Sequence, residues 1–171
     1  MKIKIYGYGW VGQAMHTLFP DALICDPRNN FSEYSYNYEE VKKEKCDVAF
    51  VCVPTPLIDG TLDTSIVEEV VKNSQEDLII IRSTVMPGTC DRFPEKNLVF
   101  IPEYLGESVN HPMTDQKARP FLIIGGTPAN RRKAIEVFQT VYNANTTIRQ
   151  VTNYEAEIIK LSENRAIAFK V

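Results

Sequence analysis

The sequence of 171 residues predicts an α/β fold: a doubly wound, mostly parallel sheet with helices on both faces, ending in a C-terminal helix. Three observations predict it. Apolar runs alternate with amphipathic ones along most of the chain. The apolar runs are near-continuous rather than alternating, as strands covered on both faces require. The first of them leads straight into Gly7-Tyr8-Gly9-Trp10-Val11-Gly12, a G-x-G-x-x-G set between a strand and a helix.

The strand-like runs are KIKIY (2–6), ALIC (22–25), DVAFVCV (47–53), DLIIIR (77–82), NLVFI (97–101) and PFLII (120–124), with a weaker seventh, TTIRQV (146–151). Between the first two, Val11, Met15, Leu18 and Phe19 share one side of a helix. After Asp26 the pattern breaks: Asn29, Asn30 and FSEYSYNYEE read as a loop, followed by a short helix through Val41 to Lys45. Asp63-Thr64-Ser65 opens the next helix, whose face is Ile66, Val67, Val70 and Val71, with Ser65 and Glu68 at the spacing of a capping box. Thr127-Pro128 reads as an N-cap and first-turn proline. That helix turns Ala134, Ile135, Phe138, Val141 and Tyr142 inward. A last helix begins at Thr152, with Glu155 at capping-box distance, and runs to the end of the chain. The expected organisation is one domain over residues 1–151 and the start of a long helix over 152–171.

Composition narrows the function classes. A net charge of −3 gives no reason to expect nucleic acid or an anionic membrane as partner. No apolar run approaches the roughly 20 residues that span a bilayer, and the N-terminus has no signal-peptide pattern. Cys25, Cys46, Cys52 and Cys90 show no C-x-x-C spacing, so we expect reduced thiols in a cytoplasmic protein. Two histidines, with no H-E-x-x-H or Cys/His cluster, argue against a metal site.

The glycine motif carries specific chemistry. Gly7 permits a tight turn, Gly9 lets a pyrophosphate approach the backbone, and Gly12 lets helix and strand pack closely. The helix N-terminus then offers free N–H groups to phosphates. Asp26, ending the second strand, suits the hydroxyls of an adenosine ribose and would repel a 2′-phosphate. The expectation is a Rossmann-type site for NAD rather than NADP. Arg28 could pair with such a phosphate and is read as a solvated loop arginine.

In open parallel sheets ligands bind beyond the carboxyl ends of the strands. There the sequence places Pro54-Thr55-Pro56 with Asp59-Gly60, then Ser83-Thr84-Val85-Met86-Pro87-Gly88-Thr89, then Pro102-Glu103-Tyr104-Leu105-Gly106-Glu107-Ser108. Singly, each reads as a stiffened loop, a turn cap or a surface carboxylate. Together GYGWVG, VPTP with DGTLDTS, STVMPGT, PEYLGES and EAEIIKLSEN span nearly the whole chain. In that order they resemble the N-terminal domain of the UDP-glucose/GDP-mannose dehydrogenase family.

The resemblance implies an NAD-dependent oxidation of a nucleotide-sugar alcohol to the uronic acid. By motif, Gly7, Gly9, Trp10, Val11, Gly12 and Asp26 would line the NAD site, completed by Val53, Pro54, Thr55, Pro56, Ser83, Thr84 and Glu107. Glu103, Tyr104, Leu105 and Gly106 would contact the nucleotide sugar. Glu103 matches a carboxylate that does acid/base work on a water, and Lys160 and Asn164 match a pair that stabilises oxyanions and holds the sugar. Thr84 is counted with these as catalytic. An ammonium and an amide at i, i+4 do project from one helical face and can stabilise developing negative charge.

Two departures qualify the resemblance. The family's second step needs a cysteine in a C-terminal domain, and none of the four cysteines matches it, so the complete two-step oxidation is not expected from this chain alone. The stretch between the second and third strands is short, and Gly106 replaces a bulkier residue. Relatives dimerise through the last helix, where Ile158, Ile159, Leu161, Ile167 and Phe169 suggest a homodimer. Two rival readings stay open: a 3-hydroxyacid or 6-phosphogluconate type of dehydrogenase, which leaves VPTP and PEYLGES unexplained, and a non-catalytic module that binds NAD or a nucleotide sugar.

Overall fold

Strands rich in Ile, Val and Phe have no polar face to offer water, so they must be covered on both sides. The computed structural model, which describes residues 1–28, 38–104, 121–142 and 144–169, meets that demand. Its elements are β1 (Ile3–Tyr6), α1 (Trp10–Leu18), β2 (Leu23–Cys25), α2 (Tyr38–Lys43), β3 (Val48–Val51), β4 (Leu57–Ile58), β5 (Thr61–Leu62), α3 (Ser65–Asn73), β6 (Leu78–Ile81), β7 (Leu98–Phe100), β8 (Phe121–Gly126), α4 (Pro128–Gln139), β9 (Thr147–Val151) and α5 (Asn153–Ala168). Among the described residues seven strands form one sheet in the order β2-β1-β3-β6-β7-β8-β9. Every neighbouring pair is parallel except β7 with β8.

The period-two alternation of the strands divides the core. Ile5, Phe50, Ile80, Val99 and Ile124 face α1 and α4, where they meet Met15, Leu18, Phe19 and Phe138. Val51, Ile79, Ile81, Leu98 and Phe100 face the other way, onto Val67 and Val71 of α3 and Ala156 of α5. Phe19 stacks on Phe50 with ring centroids 5.2 Å apart. Each such ring withdrawn from water contributes roughly 1.5–3 kcal/mol before entropy is counted. The strand order reverses at β1, which has β2 on one side and β3 on the other, so a crevice opens at the carboxyl ends of β1 and β3.

The predicted caps hold at two helices and fail at one. Thr127 accepts the Asn130 N–H, and Thr152 and Glu155 form the reciprocal capping box. Ser65 and Glu68 form none: Thr64 is the N-cap, Asp63 accepts the Ser65 N–H, and Glu68 is taken by the Thr64 hydroxyl and Arg92. Asp63, Thr64 and Ser65 are all good cap residues, and the helix begins one residue earlier than a Ser65 cap requires. The short second helix runs from Tyr38 to Lys43, and most of the loop expected before it lies outside the described residues. The β4–β5 hairpin, turned through Asp59 and Gly60 at positive φ, is an addition to the predicted elements.

A buried ion pair lies beneath the sheet edge. Lys4, in the middle of β1, places Nζ 2.8 Å from Oε1 of Glu76, and both side chains are 1% exposed. The same ammonium donates to the Glu44 carbonyl, while Glu76 accepts from the Ser74 hydroxyl and the Gln75 N–H. Burial works to raise the Glu76 carboxyl, but hydrogen bonds from Lys4 and Ser74 outweigh it and hold it below the ordinary value. Among described helices none is long and apolar enough to cross a membrane.

Breaking this pair from one side leaves a buried charge unpaired. Lys4→Met should therefore cost about 3–5 kcal/mol in urea denaturation, and Lys4→Met/Glu76→Leu should recover most of it. Because the folded Glu76 value is depressed, its contribution is present above the unfolded carboxyl value of about 4.3 and is lost as pH falls below that.

Candidate functional site

The site begins with a turn that three backbone segments share. Gly7 sits at φ +86°, and a Cβ there would lie 2.6 Å from the Cys52 carbonyl oxygen at the end of β3. A Cβ on Gly12 would lie 2.0 Å from the Gly7 carbonyl oxygen, so α1 can approach β1 only without a side chain. Gly9 differs from both. A Cβ there would meet nothing within 4 Å, because its Cα faces the open cleft. Gly9 is the N-cap of α1, makes no side-chain cap, and the first turn carries no acidic residue, so its N–H groups are left for an anion. Trp10, 60% exposed, and Val11 border the cleft beside it. An open backbone position next to free N–H groups fits a dinucleotide pyrophosphate.

Asp26 lies where the sequence places it, at the end of β2, and is buried. Its Oδ2 accepts the Tyr8 N–H at 2.7 Å, which ties the strand end to the glycine turn. Arg28 is not merely solvated: its side chain folds back on the same carboxylate through Nε and Nη2 at 3.0 and 2.7 Å, and its own N–H donates at 2.9 Å. Burial works to raise the Asp26 carboxyl, and the bonds from Arg28 and Tyr8 together hold it below its ordinary value.

The far end of the cleft is built from three strand ends and one helix. Val53, Pro54 and Thr55 border it after β3, Ser83 and Thr84 after β6, and Glu103 after β7. Ser83 donates to the Val53 carbonyl at 2.6 Å and so joins two of these loops. Lys160 and Asn164, one turn apart on α5, close the border. The whole cleft has a volume of about 1180 Å³ and also takes in Gly7, Gly9 and Asp26.

Some predicted positions do other work. Gly12 serves the close approach of α1. Pro56 lies outside the cleft border, and its carbonyl accepts the Asp63 N–H at 2.8 Å, closing the hairpin. Tyr104 is buried behind the border, where its ring lies 4.6 Å from the Lys160 Nζ and 5.1 Å from the Phe121 ring. Leu105, Gly106 and Glu107 lie outside the described residues.

The residues that hold this border were not picked out by sequence reasoning. Arg82, at the end of the DLIIIR run, is buried, forms an ion pair with Glu103 and lies over the Phe138 ring at 5.7 Å. Glu103 also accepts the Tyr104 N–H at 2.8 Å, so its carboxylate is held from two sides. Glu157, fully buried on α5, accepts the N–H groups of Gly88 and Cys90 at 2.5 and 2.9 Å and fastens the Ser83–Cys90 loop to the helix. Asn153 accepts the Phe100 N–H at 2.8 Å, and Gly125 leaves room for Ala156, whose Cβ would be 2.8 Å from one added there. Asn153, Ala156, Glu157, Lys160 and Asn164 fall on one face, so the same contacts that dock α5 fix its functional pair. The available signal was a charge closing an apolar strand and an acid at helical spacing from Lys160.

Over residues 28–146 the chain matches the NAD binding domain of the UDP-glucose/GDP-mannose dehydrogenase family. The chain belongs to this family. The match begins after the glycine turn and Asp26, whose assignment therefore rests on the geometry above. No curated protein sequence matches the chain. Among solved structures it is similar to a GDP-mannose dehydrogenase from Pseudomonas aeruginosa (21% identity, TM-score 0.80), covering 99% of this chain and 50% of that one. It is also similar to a UDP-glucose dehydrogenase from Pyrobaculum islandicum (20%, TM-score 0.75, 99% and 50%) and a UDP-N-acetyl-mannosamine dehydrogenase from Staphylococcus aureus (22%, TM-score 0.74, 96% and 50%). At such identities the likeness shows a shared fold, and the chain spans about half the length of these proteins. Within the family, it is the NAD-binding domain.

The thiols of this family member are buried. Desolvation pushes Cys25 up to about 11 and Cys52 up to about 12, and raises Cys46; at Cys90 burial and then the Glu157 charge raise it well above its ordinary value. A thiolate is the reactive form, so Cys25, Cys52 and Cys90 should react with an aromatic disulfide reagent at pH 8 at least about a hundredfold more slowly than free cysteine, Cys46 more slowly than free cysteine, and all four at the free rate in denaturant.

Proposed function

We propose that the chain is the cofactor-binding part of a nucleotide-sugar 6-dehydrogenase, which oxidises the primary alcohol of a UDP-glucose-like sugar toward the uronic acid with NAD. The observation that carries this reading is a single cleft bordered by Gly9 and Asp26 at one end and by Thr84, Glu103, Lys160 and Asn164 at the other. Bound NAD supplies the hydride acceptor. Around it, Gly7, Gly9, Trp10, Val11 and Gly12 form the turn that receives the pyrophosphate, and Asp26 receives the adenosine ribose. Val53, Pro54, Thr55, Ser83 and Thr84, with Glu107, enclose the second ribose and nicotinamide.

In this reading Lys160 and Asn164 donate to the substrate oxygen as it gains negative charge. Glu103 takes and returns a proton on a water, and the Arg82 guanidinium fixes its direction. Leu105 and Gly106 contact the nucleotide sugar, and Tyr104 backs the border behind Lys160. The exposed Ile158, Ile167 and Phe169 of the last helix support a homodimer through α5. Free thiols suit the reducing cytoplasm. Burial of all four thiols favours one second reading, a module that holds NAD or a nucleotide sugar without turnover.

Calorimetric titration of the chain with NAD tests the cofactor site. We expect saturable binding that Asp26→Ala weakens about tenfold, the scale of hydrogen bonds to a charged group. A folded sample that binds no NAD would leave only common ancestry.

A further inference from the structure

We propose that Arg28 sets how sharply this site separates NAD from NADP, by competing with the adenosine ribose for Asp26. The inference rests on the cofactor site proposed above and concerns a residue which that reading leaves without a role.

A carboxylate offers about four acceptor positions. Here the chain fills all four itself. Oδ1 receives the Arg28 N–H and Nε, and Oδ2 receives the Tyr8 N–H and the Arg28 Nη2. The two backbone donors belong to the fold, since they hold the end of β2 against the glycine turn. The two guanidinium donors come from a side chain that is 63% exposed, so they are the exchangeable pair. Only the carboxylate is buried; the guanidinium reaches it from solvent and can swing back there when another donor takes its place.

A ribose that donates its 2′ and 3′ hydroxyls to Asp26 has to displace that fork. NAD therefore trades two bonds between opposite charges for two from neutral hydroxyls to the same carboxylate, and its affinity is lower than a bare aspartate would give. A 2′-phosphate meets the opposite situation. With Arg28 in place the locus carries no net charge, where an unpaired Asp26 would carry −1. The displaced guanidinium, anchored two residues from Asp26, also presents a planar fork that matches phosphate oxygens. One residue thus weakens NAD and admits NADP, and the discrimination is shallow.

The single tryptophan, Trp10, borders the cleft and reports binding by its fluorescence. NAD and NADP would be titrated into the chain, into Arg28→Gln and into Arg28→Lys, with folding checked by circular dichroism. We expect the unaltered chain to favour NAD by less than about tenfold, and Arg28→Gln to bind NAD about threefold tighter and NADP at least about tenfold weaker, as loss of a bidentate phosphate partner implies. Arg28→Lys, which keeps the charge without the fork, should fall between them. An NAD-to-NADP ratio unmoved by Arg28→Gln, or a preference above about a hundredfold in the unaltered chain, overturns the inference while leaving the NAD site standing. Absence of NAD binding in all three overturns the site reading and this inference with it.

Discussion

The structure depends on a backbone contact that no side chain could survive. The Gly7 carbonyl lies where a Gly12 Cβ would be, and the Cys52 carbonyl lies against Gly7. Strand β1, helix α1 and the end of β3 are thereby drawn to one point, at the place where the strand order reverses. The crevice, the helix N-terminus that faces it and the position of Asp26 beneath the Tyr8 N–H all follow from that contact. A cleft at the strand ends is general to such sheets. What is particular here is that two of three glycines serve packing, and the third, Gly9, serves the opening.

The other end of the cleft is held by charge rather than by close approach. Glu157 docks α5 through the loop that follows β6, and Arg82 fixes Glu103 between β6 and β7. Both are buried, and a buried charge is tolerated only with partners at hand. The polar network therefore gives this border a defined geometry, and Lys160 and Asn164 inherit it because they share the docked face of α5. Within this end, Ser83 joins the loops after β3 and β6 by binding the Val53 carbonyl.

Most of the sheet was legible because strands buried on both faces write themselves as continuous apolar runs, and α1 and α4 because their inner faces recur at helical spacing. The β4–β5 hairpin was not, since two-residue strands carry no period, although Asp59-Gly60 marked its turn. The α3 cap was misplaced among three adjacent cap-forming residues. The glycine turn, Asp26, Thr84, Glu103, Lys160 and Asn164 could be picked out as types in order, and the structure brings them to one cleft. Lys4, Arg82 and Glu157 could not, because a charge in an apolar run reads as solvated until its partner, far along the chain, is known. The fold-back of Arg28 onto Asp26 is a choice of rotamer, which no spacing encodes.

Gly9 is open for a ligand while Gly7 and Gly12 are closed for the fold. The most direct measurement compares Gly9→Val with the unaltered chain in thermal unfolding and in NAD titration. Tm should fall by no more than about 4 °C, the cost of a valine N-cap, because an added Cβ meets no protein atom within 4 Å, while NAD affinity falls at least about thirtyfold, more than about 2 kcal/mol of excluded contact. Unchanged NAD affinity in Gly9→Val would contradict this role for Gly9.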